Sequence, residues 1–266
     1  MNGALIHTNC TAKVAVPSGA MRPPVHDIQA PPFPPGLAWA NAASLRMDKQ
    51  RGRPVLVEFW DFCRPNSLRT MPYVKAWHER YVGDGLRVVS VHSPGFDASR
   101  DEAAVRAAVG RLGIEHAVAI DSELELWRLY ENVGWPARYL FDQEGRLFDY
   151  HYGEGAYEET ERAIQELLGV ERDVVPYVHP EDEPEARIAA QTEDQPGAYS
   201  GPYEAGGVWA VLDGSGTLTV NGAEVAVRHP GAYLLLDHPH HVAGVLDLRV
   251  GEGVRCLATC FTPGIV

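Results

Sequence analysis

The sequence predicts an α/β domain followed by an all-β sandwich of the jelly-roll kind, and three observations predict it. Between residues 55 and 168, apolar strand-like runs alternate with helical periodicities, the pattern of a largely parallel sheet covered on both faces. A polar, Pro-rich stretch with an acidic cluster follows. Beyond it, short β-type runs are separated by turn dipeptides. We predict these divisions: a Pro-rich arm at 1–36, the α/β domain at 37–169, a linker at 170–200 and the β-sandwich at 201–266.

The arm is predicted from its prolines, of which seven lie between residues 17 and 35. Proline fixes φ and lacks an N–H donor, so neither a helix nor a strand ladder forms easily there. We therefore expect an extended arm.

In the α/β domain, a nearly continuous apolar run, VLVEFW at 55–60, predicts a buried strand. A helix should follow at 68–81, because apolar residues recur there at helical spacing. The same patterns predict further strands at 86–92, 117–120, 136–141 and 146–152, and further helices at 102–112, 123–130 and 157–168. The last two strands form a hairpin and add an antiparallel edge.

In the β domain, no helical period is visible. Turn dipeptides such as Asp213-Gly214, Asn221-Gly222 and Pro230-Gly231 separate the predicted strands. These strands lie at 208–212, 217–220, 224–227, 232–236, 245–250 and 255–259.

Composition excludes several classes of function. The chain has 23 Lys+Arg against 36 Asp+Glu, and its formal net charge of −13 argues against a nucleic-acid partner. We expect no membrane partner, because no run approaches the roughly 20 apolar residues of a membrane span. The first 16 residues lack the apolar run of a secretory signal, and four cysteines make no disulfide framework. We therefore expect a cytoplasmic protein, and nothing in the sequence calls for a cofactor.

Two separated motifs carry a family resemblance. The run VEFWDFCRPNSLRTMP at 57–72, followed by Trp77, resembles the active-site strand and helix of thioredoxin-like proteins of the TlpA and DipZ types. The run GWPARYLFD at 134–142, followed by Gly145, resembles the second signature of the family, in which a cis-proline faces the catalytic cysteines. The resemblance implies a thioredoxin-like fold and thiol redox chemistry. The β domain is similar in pattern to the carbohydrate-binding-module-like domain that accompanies DipZ-type proteins.

The C-x-x-C motif of the family is missing. Counting from Phe59 or back from Pro72 places it at Arg64-Pro65-Asn66-Ser67, where neither end is a cysteine. A one-residue deletion in the loop would instead align the motif with Cys63-Arg64-Pro65-Asn66. The active site is degenerate under either alignment.

Two functions are open. In the first and leading hypothesis, Cys63 is a single nucleophilic thiol whose thiolate is stabilised by the helix N-terminus and by Arg64, and it attacks a thiol, disulfide or peroxide substrate. The resolving thiol would come from Cys10, from another chain, as in a homodimer, or from a small thiol. In the second hypothesis, the domain is a non-catalytic binding protein whose cleft around Trp135 and Pro136 holds a peptide or a small ligand.

Other residues near the two motifs are predicted to support the site. Glu58 matches the position of a buried acid that shuttles protons in the family, and would act as a general base; alternatively it is a satisfied polar group in a strand. By the same resemblance, Pro136 implies a cis peptide that pairs with an extended substrate. The remaining predicted substrate-binding residues are Asp61, Asn66, Ser67 and Trp135.

A cluster of potential metal ligands, Asp237-His238-Pro239-His240-His241, predicts a weaker alternative. Two imidazoles and a carboxylate suit zinc or iron, and the surrounding turns resemble a cupin half-motif. We assign no metal ligands, because the further glutamate and histidine of a cupin site are not recognisable upstream and Pro239 predicts that the cluster lies in a solvated loop between strands. Cys256 and Cys260 would lie roughly 13 Å apart in a straight strand, beyond the roughly 7 Å limit for a disulfide, so we expect reduced thiols.

Overall fold

The computed structural model describes residues 27–266, which form two compact units, residues 27–183 and residues 184–266. In the first unit the strands are β1 (Ala38–Ala40), β2 (Val55–Trp60), β3 (Arg87–His92), β4 (Ala117–Ile120), β5 (Ala137–Phe141) and β6 (Leu147–Tyr152). The helices are α1 (Pro65–Tyr81), α2 (Glu102–Arg111), α3 (Glu125–Leu129) and α4 (Tyr157–Leu168). Short 3₁₀ turns lie at Met47–Gln50, Asp97–Ser99 and Pro180–Asp182.

The six strands form one sheet in the order β1-β4-β3-β2-β5-β6. Strand β3 pairs parallel with β2 and with β4, whereas the other three pairings are antiparallel. The sheet is therefore mixed rather than largely parallel. Strand β1 was not predicted from the sequence, because three residues are too few to show the alternating pattern of a strand.

The Pro-rich arm lies mostly outside the described residues. Of its described part, Gln29 forms a β-bridge with Arg146, and the Ala30 N–H donates to the Gly145 carbonyl at 2.8 Å. This segment therefore borders the hairpin between β5 and β6.

Strand β2 is buried at every position and separates two environments. Val57 and Phe59 belong to an apolar cluster with residues from β3, β4, β5 and α3. Because side chains alternate across a strand, Glu58 points to the opposite face. Of the apolar residues that predict α1, Met71, Val74, Trp77 and Tyr81 are buried and Leu68 is only partly so; the helix begins three residues earlier than predicted, at Pro65. Proline is well tolerated at the first helical position, where its missing N–H would have no partner.

The first part of the predicted linker packs on the first unit. The Val175 N–H donates to Glu161 on α4 at 2.7 Å, and the Val178 N–H donates to the Tyr73 hydroxyl on α1. That hydroxyl in turn donates to Asp182 at 2.7 Å. Residues 170–183 therefore form a strap across α1 and α4, although their polar composition is typical of a linker.

The second unit is a β-sandwich, as predicted. Its strands are β7 (Ile188–Ala189), β8 (Gln195–Pro196), β9 (Gly201–Gly214), β10 (Gly216–Val220), β11 (Ala223–Val227), β12 (Gly231–Leu246), β13 (Leu248–Val250), β14 (Val254–Thr262) and β15 (Gly264–Ile265). A four-stranded sheet, β12-β9-β14-β8, and a three-stranded sheet, β11-β10-β13, contribute to one apolar core, and β15 pairs with β7. In the described part of the chain, no helix is both long and apolar enough to cross a membrane.

The buried carboxylate of Glu161 connects α4, α1 and the strap. It accepts hydrogen bonds from Trp77 Nε1, from the Tyr81 hydroxyl and from the Val175 N–H, at 3.1, 2.6 and 2.7 Å. We expect Glu161→Ala to lower the free energy of unfolding by about 3 kcal/mol, because it leaves buried donors without a partner. Urea unfolding followed by circular dichroism measures this loss. The control Glu159→Ala, an exposed position on the same helix, should change stability by less than about 0.5 kcal/mol.

Candidate functional site

The start of α1 lies where the resemblance places the redox motif. Arg64 is the N-cap residue, in an extended conformation, and Pro65 occupies the first helical position. Ser67 is then the third helical residue, and Cys63 precedes the helix. The residues from Arg64 to Ser67 therefore form the start of the helix, and Cys63 lies one residue before it.

The Arg64 guanidinium lies between two aromatic rings. Its central carbon is 4.8 Å from the Phe96 ring centroid and 4.7 Å from that of Trp135. Trp135 is held in turn by a 2.8 Å hydrogen bond from its Nε1 to the Ser93 carbonyl. The following Trp135–Pro136 peptide bond is cis. The side chain of Arg64 thus connects the start of α1 to the residue that precedes the cis-proline.

The Asp61 carboxylate organises the loops around Arg64. It is fully buried and accepts hydrogen bonds from the Cys63 N–H at 2.9 Å and from the Gly95 N–H at 2.7 Å. A Cβ on Gly95 would lie 2.8 Å from Arg64 Nε and 3.0 Å from Asp61 Oδ2. A larger residue at position 95 would therefore displace the Arg64 guanidinium from its present position. Asp61 Oδ1 also lies 3.5 Å from His92 Nε2.

Cys63 has no exposed surface. Its N–H is directed to Asp61, and it forms no disulfide with the other described cysteines. The monothiol hypothesis requires a sulfur that solvent and substrate can reach. Burial of Cys63 removes that access in this conformation, so the sequence-based expectation of an accessible thiolate is not met.

The predicted substrate-binding residues divide by exposure. Trp135 and Asn66 are partly exposed, whereas Asp61, Ser67 and Pro136 are buried. Ser67 Oγ accepts a hydrogen bond from the Asp61 N–H at 3.2 Å. Asp61 and Ser67 therefore shape the β2–α1 loop instead of facing a ligand, which corrects the direct-contact role predicted for them.

Glu58 lies inside a polar network on the α1 side of the sheet. It is the cross-strand neighbour of the buried Arg138 on β5, and its Oε2 accepts a 2.7 Å hydrogen bond from Ser90 Oγ on β3. Ser90 Oγ also lies 2.7 Å from His116 Nε2. Burial raises the pKa of Glu58 to about 7, against an opposing effect of Ser90 and Arg138. The Glu58 carboxyl is therefore partly protonated at neutral pH.

Comparison with known proteins bears on this fold and motif. No family model matches the chain. Protein DipZ of Mycobacterium bovis is 33% identical over 133 residues, which are 49% of this chain and 19% of DipZ. The thiol-disulfide oxidoreductase YkuV of Bacillus subtilis is 28% identical over 131 residues, 49% of this chain and 88% of YkuV. The first unit has a thioredoxin-like fold, and we call it the thioredoxin-like domain.

The crystal structure of a thiol-disulfide isomerase from Corynebacterium glutamicum is also similar, with a TM-score of 0.45 and 23% sequence identity. The match covers 52% of this chain and 96% of that one. The chain spans about a fifth of the length of the DipZ proteins it matches. These relatives include a thiol-disulfide oxidoreductase, YkuV, whereas the start of α1 in this chain, Arg64-Pro65-Asn66-Ser67, contains no cysteine.

Sequence reasoning missed three residues of the thioredoxin-like domain that shape the site. Phe96 and Gly95 follow the predicted strand at 86–92, and a Pro-Gly turn signal marks only the loop. Arg138 lies within the second signature, but its complete burial beside Glu58 depends on the pairing of β5 with β2. No local pattern in the sequence predicts the contacts of these three residues.

The histidine cluster of the β-sandwich does not form the predicted loop. It lies within β12, where the pairing with β9 shifts register between Asp237 and Val242, and this irregularity accommodates Pro239. His238 Nε2 lies 2.9 Å from the Tyr203 hydroxyl. Across residues 27–266, no three His, Cys, Asp or Glu side chains are grouped so that they could hold a metal ion. The geometry gives the metal-site alternative no support.

The raised pKa of Glu58 predicts a pH dependence of stability. A carboxyl whose folded-state pKa is raised favours the folded state at low pH, and this contribution is lost as pH rises from about 4.5 through about 7. We expect Glu58→Gln to remove this slope, which amounts to about 3 kcal/mol. Urea unfolding at a series of pH values measures it. Glu79→Gln, at an exposed position on α1, should keep the wild-type slope; a slope retained in Glu58→Gln would contradict the assignment.

Proposed function

We propose that the thioredoxin-like domain is a binding module that does not carry out dithiol exchange and that holds an extended peptide in a cleft lined by Arg64, Phe96 and Trp135. The observation that carries the proposal is the position of Arg64. Its guanidinium fills the cleft at the point where redox relatives place a cysteine, between the start of α1 and the cis peptide bond.

The chemistry of exchange needs a thiolate nucleophile and a second thiol that resolves the mixed disulfide. Arginine stays protonated in proteins and offers no nucleophile, and the buried hydroxyl of Ser67 offers no thiol. Cys63 is the one cysteine between Cys10 and Cys256 in the sequence, and it is fully buried. These facts together support a domain without dithiol activity.

The chemistry of binding follows from the two rings around Arg64. Cation–π contacts with Phe96 and Trp135 hold the guanidinium, whose N–H groups lie in its plane, where a carboxylate can accept two hydrogen bonds. Arg64 Nε is buried and has no hydrogen-bond partner among the described residues. Val133, two residues before Trp135, is 64% exposed and offers an apolar contact. These features support a ligand that combines an acidic group with an apolar side chain.

The alternative is monothiol reduction of a disulfide or peroxide by Cys63, which requires a movement that exposes the sulfur. Location in the cytoplasm and formation of a homodimer remain predictions from the sequence.

Thiol labelling separates these two functions. In a variant that keeps only Cys63, with Cys10, Cys256 and Cys260 changed to Ser, we expect an aromatic disulfide reagent to react about 100-fold or more slowly in native protein than in guanidinium chloride. Rapid native labelling with a thiolate pKa below 8.5 would support the redox alternative instead.

The same experiment includes a gain-of-function arm. Wild-type protein should reduce insulin disulfides no faster than dithiothreitol alone, and the double variant Arg64→Cys/Ser67→Cys should accelerate the reaction, because it restores two thiols at the start of α1. Acceleration by the wild type that is lost in Cys63→Ser would sink the binding proposal.

Peptide selection tests the cleft directly. We expect phage-displayed peptides selected on the wild-type protein to be enriched in an acidic residue near an apolar one. Arg64→Ala should weaken binding of the selected peptides about tenfold or more, the effect of a charge-assisted hydrogen bond. Fluorescence titration with a synthetic peptide measures it. The control Arg53→Ala removes an exposed arginine shortly before the first residue of β2, at the end of the strand away from α1, and should leave affinity unchanged. Equal losses of affinity in both variants would refute a specific role for Arg64.

A further inference from the structure

We infer that Glu58, Ser90 and His116 form a hydrogen-bond chain in which protonation of the carboxyl sets the ring tautomer of the histidine. This inference goes beyond the proposed binding function and does not depend on it. Glu58 and Ser90 are direct partners in the parallel pairing of β2 with β3, and His116 immediately precedes β4. The chain therefore crosses three neighbouring strands.

The distances make the chain continuous. Ser90 Oγ lies 2.7 Å from Glu58 Oε2 and 2.7 Å from His116 Nε2, and all three side chains are buried. A serine hydroxyl has one hydrogen, so it can donate to only one of these two neighbours at a time. If both hydrogen bonds form, Ser90 donates to one neighbour and its oxygen accepts a hydrogen bond from the other.

Ionised Glu58 can only accept. Ser90 must then donate to Glu58, and its oxygen accepts from His116, which carries its hydrogen on Nε2. When Glu58 is protonated, the proton belongs on Oε2, because Oε1 is buried with no hydrogen-bond partner among the described residues. Oε2–H then donates to Ser90, Ser90 donates to Nε2, and the histidine carries its hydrogen on Nδ1, which is also buried with no hydrogen-bond partner among the described residues. Ionised Glu58 thus requires the Nε2–H tautomer, and protonated Glu58 makes the Nδ1–H tautomer accessible.

Several charged and titratable groups face the chain. Arg138 on β5 lies across from Glu58, and His151 on β6 is the next cross-strand partner of Arg138. Asp149, Tyr157 and Glu159 act on Arg138 electrostatically. On the histidine side, His78 and Lys75 of α1 face His116, and the His78 ring centroid lies 5.5 Å away. Arg87 and Glu115 act on His78.

These surroundings keep His116 neutral. Burial, with the nearby His78 and Lys75, lowers the pKa of His116 to about 3. The ring therefore does not gain charge in the pH range in which Glu58 titrates. Titration of Glu58 should appear at His116 as a change of tautomer.

The hydrogen-bond chain begins at a position where the family resemblance implies a functional acid. By resemblance, Glu58 occupies the place of an acid that exchanges a proton with a cysteine thiol in redox relatives. Under the alignment that begins at Arg64, this protein has Ser67 in place of that cysteine. The same carboxyl is instead connected through Ser90 to His116, beneath α1, so its proton is coupled to a histidine rather than to a thiol.

Nitrogen-15 NMR of the histidine side chains in the full-length protein tests the inference. Between about pH 5 and pH 8 we expect the ratio of the two His116 tautomers to change about tenfold or more, with the same midpoint as the Glu58 carboxyl carbon. In Ser90→Ala the carboxyl should still titrate while the His116 tautomer ratio stays constant. Ser90→Thr, which keeps the hydroxyl, should retain the change.

Two further variants keep the test decisive if Ser90→Ala fails to fold. Glu58→Gln should make the tautomer ratio independent of pH, and Glu79→Gln should leave the wild-type transition intact. A single His116 tautomer across the whole titration of Glu58 would overturn the inference, and so would a transition that persists in Glu58→Gln. Neither outcome bears on peptide binding, so this inference and the proposed function can fail separately.

Discussion

The buried carboxylate of Asp61 is the constraint on which the cleft depends. Its two hydrogen bonds, to the N–H groups of Cys63 and Gly95, join the loop before α1 to the loop after β3. The first of these bonds helps to fix where α1 begins, and the second brings Phe96 over the helix start. A buried carboxylate that lost these donors would carry a large desolvation cost, so the two loops are held together.

The start of α1 carries a cationic side chain rather than an accessible thiol. Arg64 is its N-cap residue, and Cys63, one residue earlier, is fully buried. A guanidinium stacked on Phe96 and Trp135 supplies charge and planar hydrogen-bond geometry but no nucleophile. The scaffold is therefore separable from the reaction, which is why the fold by itself does not identify the activity.

The two faces of the central sheet have different roles. The face that carries Val57 and Phe59 is apolar and contributes packing. The face under α1 contains Glu58, Ser90 and Arg138, whose burial has to be compensated by hydrogen bonds and by opposite charge. Such a polar layer couples protonation to structure, because each proton that enters or leaves changes which groups can donate.

The sequence by itself determined the α/β-then-β order and most strand and helix positions, because these depend on local periodicity. The family resemblance of two short motifs placed the candidate site at the start of α1 but left two alignments of the C-x-x-C motif open. Only the tertiary structure decided that Cys63 is buried, that Phe96 stacks on Arg64, that residues 170–183 form a strap, and that the histidine cluster lies in a strand. Each of these depends on residues far apart in sequence, and burial is a property of the surroundings of a side chain, which its own neighbours in the chain do not encode.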